Sequence, residues 1–217
     1  MNRLLKFNQT KDSRVYFSSD FHLNHNPQWD NPIWKQRGFD CVLDMNNGII
    51  NSINNTVRNN DILWFLGDFC LNTTEELFES FISRINCQNI YMVWGNHNNP
   101  VNAIYTREVA KSMGSDDIEV YPFKYKNITF VGDYQEISVD GQFIVLSHYP
   151  IYVFRKMNDS AWNLCGHSHG NCKFSNSNDM TSKVLDVGWD VHKKPLSTSE
   201  INKIMNMKNI LRVDHHI

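Results

Sequence analysis

The sequence lacks a long hydrophobic run, a paired-cysteine motif and a surplus of one charge. No apolar run reaches the roughly 18 residues of a membrane span, and the segment from Met1 to Phe7 becomes polar too early for a signal peptide. The five cysteines are scattered, odd in number and without a CxxC pair, which favours reduced thiols over disulfides or a thiolate zinc site. We therefore expect a cytoplasmic protein with no membrane partner.

The charge balance also disfavours one class of partner. Lys plus Arg amounts to 21 residues and Asp plus Glu to 23, a net charge of -2. A protein that grips long nucleic acid by its phosphates usually carries a large basic excess. We therefore expect any polyanion to be attracted by a local site only.

The sequence contains enough apolar material for a packed core. Apolar residues make up 41% of 217 residues, with 13 Phe, 8 Tyr and 6 Trp, which predicts a single domain over 1–217.

Short β-rich runs predict eight strands: Arg14 to Ser19, Asp61 to Leu66, Asn89 to Trp94, Asn127 to Val131, Gln135 to Val139, Gln142 to Ser147, Ala161 to Cys165 and Lys183 to Val187. Helical spacing predicts helices over Cys41 to Val57, Thr73 to Ile85 and Ser197 to Met207, with the capping signal Thr73-x-x-Glu76 opening the second. This order predicts an α/β fold that begins with a parallel sheet, and Asp140-Gly141 predicts a hairpin in its second half.

Potential metal ligands stand just after five of these strands. They are Asp20 and His22, Asp68, Asn96 and His97, His148, and His167 and His169. The carboxyl ends of strands in an open α/β sheet converge on one crevice, so these side chains should become neighbours. Nitrogen and oxygen ligands favour Mn²⁺, Fe, Zn²⁺ or Ni²⁺ over Ca²⁺. A strand-end Asp, Asn or His taken singly more often caps a turn, and only the ordered set favours a metal site.

The ordered motifs resemble those of the calcineurin-like metallophosphoesterases. That family's pattern D-x-H, G-D, G-N-H-[DE], H and G-H-x-H runs here from Asp20 to His169. The chain is most similar to small phage and bacterial members, whose further motifs read here Ser19 to His25, Leu66 to Phe69, Leu146 to Pro150 and Asp186 to Asp190. The resemblance implies a two-sheet α-β-β-α sandwich and a phosphoester hydrolase in which a hydroxide between two metal ions attacks phosphorus in line.

The resemblance also implies a role for each motif residue. Asp20, His22 and His169 would hold one ion, Asn96, His148 and His167 the second, and Asp68 would lie between them. The cofactors would be two divalent transition-metal ions, Mn²⁺ first and Fe, Zn²⁺ or Ni²⁺ as alternatives. His97 would face the substrate and assist the leaving group. The alternative is that His97 is an ordinary hydrogen-bonded loop histidine. The family usually has an acid after this histidine, and here Asn98 stands in its place.

The substrate is less well defined by the sequence. The lack of surplus positive charge disfavours duplex DNA and favours a small diester or nucleotide, with a nuclease or a non-catalytic metal-bound scaffold as alternatives. His25 would contact phosphate or pack on its loop, and Arg37 and Arg155 would clamp a second phosphate or remain solvated. Aromatic residues near the motifs would stack on a base or belong to the core: Trp29, Trp34, Phe69, Tyr149, Trp162 and Phe174. Monoester or diester preference, native metal and oligomeric state stay open.

Overall fold

The main sheet has six strands and carries most of the predicted ligands. A computed structural model of the chain describes residues 4–27, 30–71, 74–97, 99–114 and 120–212. The six strands are β2 (Val15–Ser18), β3 (Ile62–Leu66), β4 (Asn89–Val93), β5 (Phe123–Tyr125), β6 (Ile128–Phe130) and β11 (Leu196–Ser197). Their order is β11-β2-β3-β4-β6-β5, and β2, β3, β4 and β6 are parallel. The parallel strands therefore point their carboxyl ends to one edge.

The second sheet has five strands and mixed directions. They are β1 (Leu5–Phe7), β7 (Tyr134–Val139), β8 (Gln142–Ser147), β9 (Trp162–Cys165) and β10 (Val184–Asp186), in the order β1-β7-β8-β9-β10. The hairpin of β7 and β8 is antiparallel, and Asp140 and Gly141 in its turn have φ of 49° and 88°. A two-residue turn with both φ values positive is the type that matches strand twist. The hairpin predicted at Asp140-Gly141 is confirmed.

The two sheets pack face to face around one apolar layer. This layer joins residues of the six-stranded sheet, such as Phe17 and Trp64, to residues of the five-stranded sheet, such as Ile144 and Leu164. All four are fully buried, and burying each contributes about 1.5–3 kcal/mol. The two-sheet sandwich is thereby confirmed.

Helices cover the outer face of the six-stranded sheet, except the last helix, whose Ile201 and Met205 pack in the layer between the two sheets. The helices are α1 (Ile33–Gln36), α2 (Val42–Thr56), α3 (Glu75–Ser83), α4 (Asn99–Met113), α5 (Trp189–His192) and α6 (Thr198–Met207). Ile49 of α2, Phe78 of α3 and Ile104 of α4 pack in one cluster with Phe65 of β3. Connecting residues such as Phe154 cover the outer face of the five-stranded sheet. No helix in the described ranges is both long and apolar enough to cross a membrane.

Most predicted elements occur, and a few observed ones were not predicted. Each of the eight predicted strands is present with boundaries within one residue, whereas β1, β5, β11, α1, α4 and α5 were not predicted. The cap of α3 is Thr74, whose side chain accepts from the Leu77 N–H, so the capping signal predicted at Thr73 is wrong by one residue. Thr73 itself lies outside the described residues. All five cysteines are free thiols, as predicted.

Candidate metal centre

The loops after β2, β3, β4, β8 and β9 meet at one end of the sandwich. The Asp20 N–H donates to the carbonyl of Gly67 at 3.1 Å, and the His22 N–H donates to the carbonyl of Asp68 at 2.9 Å. The His167 N–H donates to the Asp20 carboxylate at 3.0 Å and so links the two sheets. The structure therefore brings together side chains that lie up to 149 positions apart in the sequence.

An unusual backbone conformation holds five of the predicted ligands. Asp20, His22, Asp68, His167 and His169 are all left-handed, with φ between 48° and 66°. A residue other than glycine reaches this region at a cost of about 1–3 kcal/mol and keeps it only when its surroundings enforce it. Such residues cluster at functional sites, and here they turn each ligand out of its strand.

The first ligand group consists of Asp20, His22 and His169. Their potential ligand atoms lie within 4.8 Å of one another. His22 is 4% exposed, and neither of its ring nitrogens has a hydrogen-bond partner. Burial lowers the pKa of His22 to about 3 although Asp68 opposes the shift, so the ring is neutral and keeps a free lone pair. A buried imidazole with an unused lone pair beside two carboxylates fits a bound cation.

The second ligand group consists of Asn96, His148 and His167. The Asn96 Oδ1 atom lies 2.8 Å from His148 Nε2 and 3.0 Å from His167 Nδ1. His148 Nδ1 is 2.8 Å from the carbonyl oxygen of Leu66, and because a carbonyl only accepts, this nitrogen carries the proton. Burial lowers the pKa of His148, but the hydrogen bond and charge of Asp68 outweigh it and raise that pKa above its usual value, so Nε2 can also carry a proton and donate to the Asn96 oxygen. Without that proton, the Nε2 lone pair and the amide oxygen are two ligand atoms that could bind one cation.

Asp68 lies between the two groups. Its Oδ2 atom is 3.6 Å from His22 Nε2 and 3.5 Å from His148 Nε2, and its Oδ1 atom accepts from the His97 N–H at 2.8 Å. Burial opposes the shift, yet the hydrogen bond and charge of His148 lower the pKa of Asp68 to about 2. Burial raises the pKa of Asp20 to about 6, and a cation beside that carboxylate returns it to the ionised form. The residues present therefore fit two divalent ions that share one carboxylate.

Two predicted substrate contacts lie beside the first group. The His97 side chain is exposed, and its ring centre is 5.8 Å from that of His22. His25 is half-buried with its ring centre 5.7 Å from that of His22, and burial lowers its pKa. Asn98, which replaces the family's usual acid, lies outside the described residues.

The structure contradicts the prediction that Arg37 clamps phosphate. The Arg37 side chain is 1% exposed, and all five of its N–H groups have partners inside the protein. They donate to both Asp190 oxygens, to the carbonyls of Asp20 and Phe21, and to the Met45 sulfur. A guanidinium has five N–H donors, so none is left for a substrate. Arg155 instead pairs with Glu136 at the surface.

Two further carboxylates support the ligand loops, and sequence reasoning assigned them no role. Asp186 is buried and accepts from Ser168 Oγ at 2.6 Å, from the Gly170 N–H at 2.9 Å and from the Gly188 N–H at 2.7 Å. Asp190 lies 2.6 Å from His169 Nδ1. Both belong to the motif from Asp186 to Asp190, whose two acidic residues were the available signal.

Comparisons with known proteins agree with this geometry. The family model of the calcineurin-like phosphoesterases matches residues 13–171, which include every predicted ligand. The chain belongs to this family. With its clustered Asp and His side chains, the chain is a metal-dependent phosphoesterase.

Two relatives extend the likeness over most of the chain. The uncharacterized protein MJ1445 of Methanocaldococcus jannaschii is 25% identical over 205 residues, which cover 92% of this chain and 95% of that protein. A crystal structure of the protein of unknown function AQ665 from Aquifex aeolicus superposes with a TM-score of 0.60 at 20% identity, and the match covers 88% of this chain and 99% of that one. The second likeness concerns the fold alone.

Proposed function

We propose that this protein hydrolyses a small phosphodiester or nucleotide with two divalent transition-metal ions, Mn²⁺ first among them. One observation carries the proposal: Asp68 Oδ2 is almost equally distant from His22 Nε2 and His148 Nε2, one nitrogen from each ligand group. An ionised carboxylate has lone pairs enough to serve two ions. Asp20, His22 and His169 would hold the first ion, and Asn96, His148 and His167 the second.

The residues of the chain divide the remaining work between binding and proton transfer. When bound, the two ions supply Lewis acidity, activating water for in-line attack and neutralising phosphoryl oxygens. The hydrogen bond from the His97 N–H to Asp68 holds the exposed His97 ring at the rim of the first group. A ring N–H of His97 is therefore available to the departing oxygen, where a positioned acid typically contributes 10²–10⁴-fold.

An exposed aromatic ring beside the second group favours a substrate with a planar base or aryl group. Tyr149 is 53% exposed, and its ring centre lies 4.4 Å from that of His167 and 5.2 Å from that of His148. The other aromatics suggested for stacking are core residues or pack against the core (Trp34, Phe69, Trp162 and Phe174), while Trp29 lies outside the described residues. A base linked to a phosphate at the second group would meet the Tyr149 ring.

The charges elsewhere favour a small substrate over a long polyanion. Several basic side chains on the described surface pair with carboxylates, as Arg155 does with Glu136 and Lys194 with Glu200. Paired charges do not form the continuous phosphate-tracking surface that a nuclease for long duplexes uses. Duplex DNA therefore serves as the comparison substrate in the test.

The test assays chelated protein on nitrophenyl and methyl esters, mono- and diesters, nucleotides and duplex DNA, with Mn²⁺, Zn²⁺, Ni²⁺ or Mg²⁺ added back. We expect no turnover without metal, restored turnover with Mn²⁺, and preference for the small diesters or nucleotides. Bound metal without turnover of any ester would indicate a non-catalytic scaffold. Faster cleavage of duplex DNA than of small esters would indicate a nuclease.

The aromatic contact is tested with a matched pair of variants. Stacking on a base is worth about 1–3 kcal/mol, so Tyr149→Ala should raise KM about tenfold for nucleotide and nitrophenyl substrates and leave methyl esters unchanged. Tyr152 is equally exposed, but its ring packs against Phe174, so Tyr152→Ala is the control. Equal effects of the two variants would contradict the role of Tyr149.

A further inference from the structure

A buried ion pair joins the two loops that supply the first ligand group. Arg37 Nε donates to Asp190 Oδ1 at 2.8 Å, and an Arg37 terminal nitrogen donates to Asp190 Oδ2 at 2.6 Å. Asp190 Oδ2 also lies 2.6 Å from His169 Nδ1. The guanidinium is further held 5.2 Å from the centre of the Trp189 ring. Arg37 and Asp190 are 153 positions apart, so only the fold creates this pair.

The same guanidinium fixes the other two ligands of that group through the backbone. Its terminal nitrogens donate to the carbonyl oxygens of Asp20 at 2.8 Å and of Phe21 at 2.7 Å. These carbonyls belong to the segment Asp20–His22, whose first and last residues are left-handed. Arg37 therefore contacts the Asp20–His22 loop directly and the His169 loop through Asp190.

The geometry points to Arg37 and Asp190 as positioning residues that assemble the first ligand group and not the second. A carboxylate at Asp190 makes His169 Nδ1 the donor, which leaves the lone pair on Nε2 for the ion held with Asp20 and His22. Among the hydrogen bonds described for Arg37 and Asp190, none reaches Asn96, His148 or His167. This inference rests on the metal centre of the proposed function.

Replacing Asp190 by asparagine keeps its size and removes one acceptor. The amide NH₂ then takes either the Oδ1 place, where it faces the Arg37 Nε–H, or the Oδ2 place, where it faces both an Arg37 terminal N–H and His169 Nδ1. In the second case His169 Nδ1 becomes the acceptor, and its proton moves to Nε2, where the ion should bind. Loss of such supporting partners typically weakens metal binding 10–100-fold.

The test measures Mn²⁺ affinity by calorimetry in two backgrounds that each leave one ligand group intact. In the His167→Ala background, Asp190→Asn should weaken binding at least tenfold, and Arg37→Gln should do the same. In the His22→Ala background, either change should alter the affinity by less than about threefold. Lys193→Gln is the control, because Lys193 Nζ lies 3.7 Å from Asp190 Oδ1 on an exposed side chain and makes no described contact with His169.

The outcomes separate this inference from the proposed function. Equal weakening in both backgrounds would show a general structural role, and no weakening in either would show no role, so both results overturn the inference alone. Absence of any Mn²⁺ binding by the unmodified chain would overturn the proposed function and this inference together. The melting temperature of each metal-free variant shows whether that variant folds. If Arg37→Gln does not fold, the Mn²⁺ affinity of Asp190→Asn alone tests the inference.

Discussion

Asp68→Asn should remove most of the stabilisation that bound metal gives this protein. An ion that binds only the folded chain stabilises it by about 2.7 kcal/mol at a hundredfold excess over its dissociation constant, or about 5 kcal/mol for two ions. For a chain of this size 1 kcal/mol corresponds to about 2–4 °C, so chelation should lower the melting temperature of the unmodified protein by about 10–20 °C. Because Asp68 lies between both ligand groups, the variant should show less than half of that shift.

The same substitution has a smaller effect on the metal-free protein. Burial raises the pKa of Asp68, but His148, His22 and the His97 N–H together lower it from 3.8 to about 2, and this difference corresponds to roughly 2 kcal/mol at neutral pH. A lowered carboxyl pKa stabilises the fold above pH 3.8, and that contribution disappears as the pH falls towards 2. Asp68→Asn should therefore abolish this acid-sensitive part of the stability.

The assay is thermal unfolding by circular dichroism with chelator and with Mn²⁺, together with elemental analysis of bound metal. The exposed Asp12 provides the control, and Asp12→Asn should behave as the unmodified protein. If Asp68→Asn retains two ions per chain and the full chelation shift, Asp68 does not serve both ligand groups and the reasoning is refuted.

Three further predictions concern His97, Gly95 and the N-terminal cap of helix α6. His97→Ala should cost about 10²–10⁴-fold in kcat for alkyl esters and less than tenfold for nitrophenyl esters, and equal losses in steady-state assays would exclude an acid role. A Cβ on Gly95 would overlap Asp68 Oδ1 and lie 2.5 Å from Asp68 N, so Gly95→Ala should weaken Mn²⁺ binding at least tenfold in a calorimetric titration. Ser197→Ala should lower the free energy of unfolding by about 1 kcal/mol in denaturant titrations, because it removes the hydroxyl half of the capping box with Glu200. Hydrogen bonds outweigh burial and lower the pKa of Glu200 to about 2, so this loss should shrink as the pH falls from 4.5 towards 2.

The sequence predicts the placement of the ligands better than their conformation. Asp20, Asp68, Asn96 and His148 all follow predicted strands, and parallel strand ends share one edge, so their convergence follows from topology. The left-handed backbone at Asp20 or Asp68 has no such signal, because long-range hydrogen bonds enforce a conformation that these residue types disfavour locally.

The role predicted for Arg37 was wrong because its partners lie far away in the chain. Arg37 follows a short helix and has the pattern of a solvated charge, and only the approach of Asp190 places it in the interior. The edge strands β1, β5 and β11 span two or three residues each, too few to show an alternating pattern.

One missed element did carry a local signal. Helix α4 has Val101, Ile104, Tyr105 and Val109 at helical spacing, and all four are buried. Polar residues dominate the rest of α4, so its helical pattern of apolar residues is less distinct in the sequence than the patterns of α2 and α3. Counting matches to helical spacing would have identified α4.

Anomalous diffraction from crystals grown with Mn²⁺ tests the central claim most directly. The account predicts two anomalous peaks, one contacted by Asp20, His22 and His169, the other by Asn96, His148 and His167, with Asp68 contacting both. A single peak, or two peaks of which only one contacts Asp68, would contradict a shared two-metal centre.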